Sequence, residues 1–224
     1  MKKFMILAAV AMLVGRASAA VRDTISLNTG WQFHLGELSG IEAVKNAKSE
    51  RVNLPHDFLI GQPWVEPDAS ERPDNSDAGS NVRSRLSPRG FKEMNVGWYR
   101  YVLTPKAEWK GRRVVLDFQG IMLVGDVWLN GKHIGKTDYG YLGFDTDISS
   151  ILKYDGDNEI IVKANTQQPN NSRWYTGGGL YRDVNLIVTD KKLYFPRHPL
   201  FIRTENNKKV KIQAEIACFN KVDN

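Results

Sequence analysis

At 224 residues, with 42% apolar and 25% charged side chains, the chain has the make-up of a globular protein holding one medium domain and part of a second. Three of its basic residues, Lys2, Lys3 and Arg16, lie in the first nineteen positions; without them 28 of the 31 Lys and Arg face 25 Asp and Glu, a net +3 that is too mild to mark a nucleic-acid binder. The single cysteine, Cys218, excludes an intramolecular disulfide, so the fold must rest on a hydrophobic core.

The first nineteen residues read as a secretory signal. Lys2 and Lys3 form a basic start, "FMILAAVAMLVG" is a short apolar run, and Ala17-Ser18-Ala19 is a small-residue cleavage site. The apolar run is too short to cross a bilayer, and Ala20 offers no cysteine to a lipid, so the expectation is a periplasmic or extracellular product with no membrane anchor. In the mature part, "GIEAVKNAKSE" suits one or two helical turns. From about Gly61 to Asn95 the pattern stops in a stretch rich in Pro, Ser, Asp, Asn and Arg. A loop of that length is usually functional or disordered.

From Gly97 onward the period is that of strands. "GWYRYVLTP" opens the series; in "RRVVLDFQG", Val114, Leu116 and Phe118 share one face and Val115 and Asp117 the other. "DVWLNGKHIG" places Asn130-Gly131 between two apolar segments, and Asn-Gly tolerates the positive φ angles of a two-residue type I′ hairpin. "DISSILK" is a further short helical candidate. "NEIIVKAN" and "LYRDVNLIV" are alternating strands, each entered through a turn, the second through the triple glycine Gly177 to Gly179. Trp98 and Trp128 sit inside strand patterns and are expected in the core. Short strands with frequent turns point to an all-β, antiparallel β-sandwich. After Asp190 the composition shifts to a linker, a strand, a polar turn and a second strand in which Cys218 alternates with apolar neighbours and reads as buried. Two strands make no independent sandwich, so residues 191–224 read as the start of a second, truncated domain after a first one over 20–190.

The usual catalytic constellations are missing. His34, His56, His133 and His198 are scattered without metal-ligand spacing, so neither a zinc site nor any other metal is expected. The triple glycine precedes a strand instead of opening a helix, so it is no dinucleotide loop and no cofactor is expected; it reads as a tight turn that lets two strands approach closely. In "NNSRWYTGGGLYRDVNL", Arg173, Trp174 and Tyr175 stand together on a turn. Such aromatics either fold back as a lid over the sandwich edge or hold a sugar, the ring covering its C–H face and Arg bonding its hydroxyls.

Four motifs in order, "LPHDF" (54–58), "GWYRYVL" (97–103), "DVWLNGKHIGKTDYGYLGFDTDIS" (126–149) and "SRWYTGGGLYRDVNL" (172–186), resemble the amino-terminal sugar-binding domain of family 2 glycoside hydrolases over about Gly30 to Asp190. "SRWYTGGGLYR" is most similar to the β-galactosidase-like members. The resemblance implies a jelly-roll sandwich, galactose-binding-like, then an immunoglobulin-like sandwich, then a (β/α)₈ barrel whose two glutamates, about 5 Å apart, run a retaining mechanism. A barrel takes about 250 residues, which do not follow Asp190 here, so no acid of this chain is assigned a catalytic role. The resemblance instead implies that Arg173 and Trp174, with Asn171 and Ser172, lie on a loop that closes one side of the sugar pocket. Some members present an aspartate to the sugar near the place of Arg173. Asp57 of "PHDF" either meets the sugar or caps the turn after Pro55. The expected partners are a β-galactoside-type glycan and the missing carboxy-terminal barrel of the same polypeptide. The other reading is a free-standing carbohydrate-binding module without hydrolase activity.

Overall fold

The computed structural model describes residues 22–65, 92–167, 175–205 and 209–218. The signal expected over 1–19, most of the 61–95 loop and the candidate residues 171–174 lie outside them. The chain divides into two compact units: a large one over Thr24–Ile187, and a smaller one that takes the residues on either side.

The large unit is an all-β, antiparallel sandwich. One sheet has six strands in the order β3 (Glu50–Val52), β2 (Trp31–Leu35), β4 (Val96–Leu103), β9 (Asn158–Asn165), β6 (Val124–Leu129), β7 (Lys132–Thr137). The other has four, β1 (Asp23–Ser26), β10 (Val184–Thr189), β5 (Arg113–Phe118), β8 (Phe144–Asp147). The only α-helical segment among the described residues is the single turn α1 (Ile41–Val44), where "GIEAVKNAKSE" suggests one. "DISSILK" makes a turn closed by Leu152 N–H donating to the Ile148 carbonyl at 3.0 Å.

Register explains why this sequence stacks two sheets. Phe33 pairs with Tyr99, Tyr99 with Val162 and Val162 with Val127, so period-2 alternation puts the four on one face in a row across the strands. All four are buried, as are Trp31, Leu129 and Ile160. On β5 five consecutive residues, Val114 to Phe118, are buried, so both faces of that strand are covered, not only the one its alternation marks as apolar. Burying each apolar side chain of this core contributes about 2 kcal/mol. The outward face of the six-stranded sheet carries a smaller cluster of Val44, Val96, Trp98 and Ile161. Trp128 packs there half-buried, its ring stacked on Trp98 with centroids 6.0 Å apart. Beside it, Arg100 bonds Glu159 at 2.6 Å and Gln32 at 2.7 Å. The predicted hairpin joins β6 to β7, with Asn130 at φ 52° and Gly131 at φ 83°.

The smaller unit is built from β11 (Leu193–Tyr194), β12 (Leu200–Glu205), β13 (Lys209–Ala214) and β14 (Ala217–Cys218), paired β11–β14 and β12–β13. In the β12–β13 register, Leu200, Ile202, Val210 and Ile212 fall on one face, and all are exposed. Cys218, expected in a buried strand position, is exposed instead. The alternating run is broken between Ala214 and Ala217, where Glu215 N–H turns to the Pro199 carbonyl at 2.7 Å, and Cys218 falls on a two-residue strand.

Candidate functional site

The "LPHDF" turn and the triple glycine, far apart in sequence, form one structure. Asp57 Oδ1 accepts the Leu59 N–H two residues on at 3.0 Å, an Asx-type turn. It also accepts the Gly178 N–H at 2.8 Å. Asp57 Oδ2 accepts the Tyr175 hydroxyl at 2.6 Å. Backbone bonds fasten the same two segments: Phe58 N–H to the Gly178 carbonyl at 3.1 Å and His56 N–H to the Leu180 carbonyl at 2.8 Å. On its other side Gly179 exchanges both backbone bonds with Met122, at 2.8 and 2.9 Å.

So close an approach needs glycine. Gly177 has φ +77°, and a Cβ there would lie 2.8 Å from Asp57 Oδ2; Gly179 has φ +104°, and its Cβ would collide with the Tyr99 hydroxyl and come within 2.9 Å of the His56 carbonyl. The expectation of a tight turn allowing close approach is thus met, with the "PHDF" turn as the segment approached.

Beneath the glycines Tyr99, fully buried, accepts the Leu180 N–H at 3.4 Å and meets His56 Nδ1 at 2.9 Å. Burial raises the Tyr99 phenol far above its ordinary value, so it keeps its proton in this contact. Burial also lowers the His56 pKa from 6.5, outweighing the opposite pull of Glu50 and Asp57. The unfolded chain then binds the proton more readily, so this contribution to stability is full above about pH 6.5 and is lost as pH falls below it toward the folded-state value. Denaturant midpoints at pH 7.5 and 5.5 are expected to differ less in His56→Asn than in the wild type; equal differences would remove His56 as a source of the pH dependence. Tyr175 is likewise raised, by burial first and then by its bond to Asp57.

Of the candidate residues, Asp57 is therefore the hub of the turn: among the described residues its Oδ1 accepts twice and its Oδ2 once. Asn171, Ser172, Arg173 and Trp174 lie outside the described residues; the first described residue after them, Tyr175, is 44% exposed, with its hydroxyl anchored on Asp57. The motif reading did not single out His56 or Tyr99. The signals were present, His56 inside "PHDF" and Tyr99 inside "GWYRYVL", but not the fact that they meet. Among the described residues no group of three or more His, Cys, Asp and Glu could hold a metal ion.

Comparison with known proteins places this geometry. Residues 90–186 match the family model described as the glycosyl hydrolase 2 galactose-binding domain-like domain. The chain is similar to the β-galactosidase BoGH2A of Bacteroides ovatus, 31% identical over 172 residues that make up 75% of this chain and 18% of that protein. It is also similar to a β-glucuronidase of Bacteroides fragilis, 30% identical over 183 residues, 79% of this chain and 22% of that one. Among solved structures, a β-glycosidase from Bacteroides vulgatus superimposes with a TM-score of 0.70 at 29% identity, over 89% of this chain and 25% of that one. The chain thus spans about a fifth of the length of the curated relatives it matches. On its ordered motifs, its sandwich and these matches, the chain belongs to family 2 of the glycoside hydrolases, as their amino-terminal, galactose-binding domain-like β-sandwich.

Proposed function

We propose that this chain is the non-catalytic, sugar-binding front of a secreted family 2 hydrolase of β-galactosidase type. Its loop over 171–174 closes one side of a sugar pocket, and the retaining pair of glutamates comes from a (β/α)₈ barrel in the same polypeptide. The observation that carries this is the clamp at Asp57. Four hydrogen bonds to the "PHDF" turn, from or to Tyr175, Gly178 and Leu180, fix the point at which the loop bearing Arg173 and Trp174 rejoins the body, and a positioned loop is what an aromatic ring needs to stack on a sugar. Names of relatives that act on β-galactosides and β-glucuronides support the reaction class, and the similarity of "SRWYTGGGLYR" to β-galactosidase-like members favours a galactoside. The signal-like residues 1–19 support export to the periplasm or beyond.

The test is Trp174→Ala in the full-length polypeptide. Loss of the stacked ring is expected to lower kcat/KM on an aryl β-galactoside about tenfold, with an unchanged melting temperature. Unchanged kinetics would return Trp174 to a lid over the sandwich edge.

A further inference from the structure

A second set of aromatics stands on another loop. Between β7 and β8 the chain runs Asp138-Tyr139-Gly140-Tyr141-Leu142-Gly143. Tyr139, Tyr141 and Leu142 are 56%, 47% and 65% exposed, three large side chains in four positions, while Gly140 between the tyrosines is buried. The loop is held down at its centre and turned outward at its flanks. Tyr181 donates its hydroxyl to the Gly140 carbonyl at 2.8 Å. Arg182 Nη1 donates to the Tyr141 carbonyl at 3.2 Å and the Gln119 carbonyl at 3.4 Å. Tyr139 exchanges bonds with Thr137 Oγ1 at 3.2 and 3.4 Å, and Leu142 N–H closes the turn on the Tyr139 carbonyl at 3.2 Å. The two exposed rings lie 5.6 Å apart, tilted by 56°.

We infer that this loop is a second carbohydrate-contact site: Tyr139 and Tyr141 form a platform for the C–H face of a β-linked oligosaccharide, and Arg182 supplies donors to its hydroxyls. The chemistry of the patch selects this class of ligand. Contiguous exposed apolar groups rimmed by polar ones mark interaction and ligand-binding surfaces, and here the rim is the exposed guanidinium of Arg182 together with the tyrosine hydroxyls. Tyrosines on a hydrogen-bonded loop give up little conformational entropy on binding, and each offers a flat face with a polar tip. That combination matches a pyranose, which has apolar faces and a hydroxylated edge. A stable protein partner needs about 800 Å² on each side, several times what three side chains offer. The site is built from residues 138–142 and 181–182, so it stands or falls separately from the loop at 171–174.

The experiment is titration of the purified chain with β-1,4-galactotetraose and with cellotetraose, followed by calorimetry or affinity electrophoresis. The wild type is expected to bind at least one of them, and Tyr139→Ala/Tyr141→Ala to bind it at least about tenfold more weakly with its melting temperature retained. Tyr139→Phe/Tyr141→Phe keeps the rings and is expected to stay within about threefold of the wild type. Should the double alanine variant fail to fold, Tyr141→Ser alone carries the test, with the same direction of change. Absence of binding by the wild type to either sugar at about 10 mM, a concentration that detects even millimolar affinity, would overturn the inference. Equal binding by wild type and the ring-deleted variant would overturn it as well.

Discussion

Gly179→Ala is expected to be the most damaging single-methyl substitution at the site, lowering stability by about 4 kcal/mol. Two effects add. The φ of +104° is one that an L side chain rarely adopts, and the new Cβ would collide with the Tyr99 hydroxyl and crowd the His56 carbonyl. Neither obstacle can retreat: the Tyr99 ring is buried, and the carbonyl is backbone. Gly131→Ala separates the terms, since Gly131 also has positive φ, +83°, but a Cβ there meets nothing within 4 Å. It should cost about 1 kcal/mol, the strain alone. For a domain of this size the difference is a melting temperature lower by roughly 10 °C in Gly179→Ala than in Gly131→Ala, measured by thermal unfolding. Equal melting temperatures would mean that Tyr99 and the glycine segment are not packed as described.

Asp57→Ala is expected to cost about 3 kcal/mol, because it strands the Leu59 and Gly178 N–H groups and the Tyr175 hydroxyl together, and hydrogen bonds to a charged acceptor are among the stronger ones. Asp57→Asn keeps an oxygen for the two N–H donors and disturbs only the Tyr175 bond, so about 1 kcal/mol is expected. Denaturant unfolding of the two variants decides between the roles of Asp57. A large alanine effect with a small asparagine effect is the signature of a turn hub. Two small effects would instead leave Asp57 free to serve chiefly as a sugar contact.

The central strands were legible because alternation and turn chemistry agreed. β4, β9 and the β6–β7 hairpin lie where "GWYRYVL", "NEIIVKAN" and Asn130-Gly131 put them. The strands before Gly97 were not: β1 and β3 have four and three residues with hardly a buried position, and β2 has five, too few periods to stand out from a loop. β8, "FDTD", is polar enough to hide and is defined by its pairing with β5. Cys218 was misread because alternation continues through "AEIACF" although the strand does not.

For the site, the triple glycine announced a close approach but not its partner. The Asp57–Tyr175 bond spans 118 positions, and no local pattern contains it. Overall identity does not choose the sugar. Relatives named as β-galactosidase and as β-glucuronidase match this chain at nearly equal identity, as expected if the sandwich sets the wall of a pocket whose chemistry is supplied elsewhere.

That division of labour is tested most directly by assaying hydrolysis of a nitrophenyl β-galactoside by the purified 224-residue chain beside the full-length polypeptide of its gene. The expected result is turnover by the longer protein and none above the buffer blank by the chain. Turnover by the chain itself, surviving repurification and lost on unfolding, would contradict a non-catalytic role and require a catalytic pair within these residues.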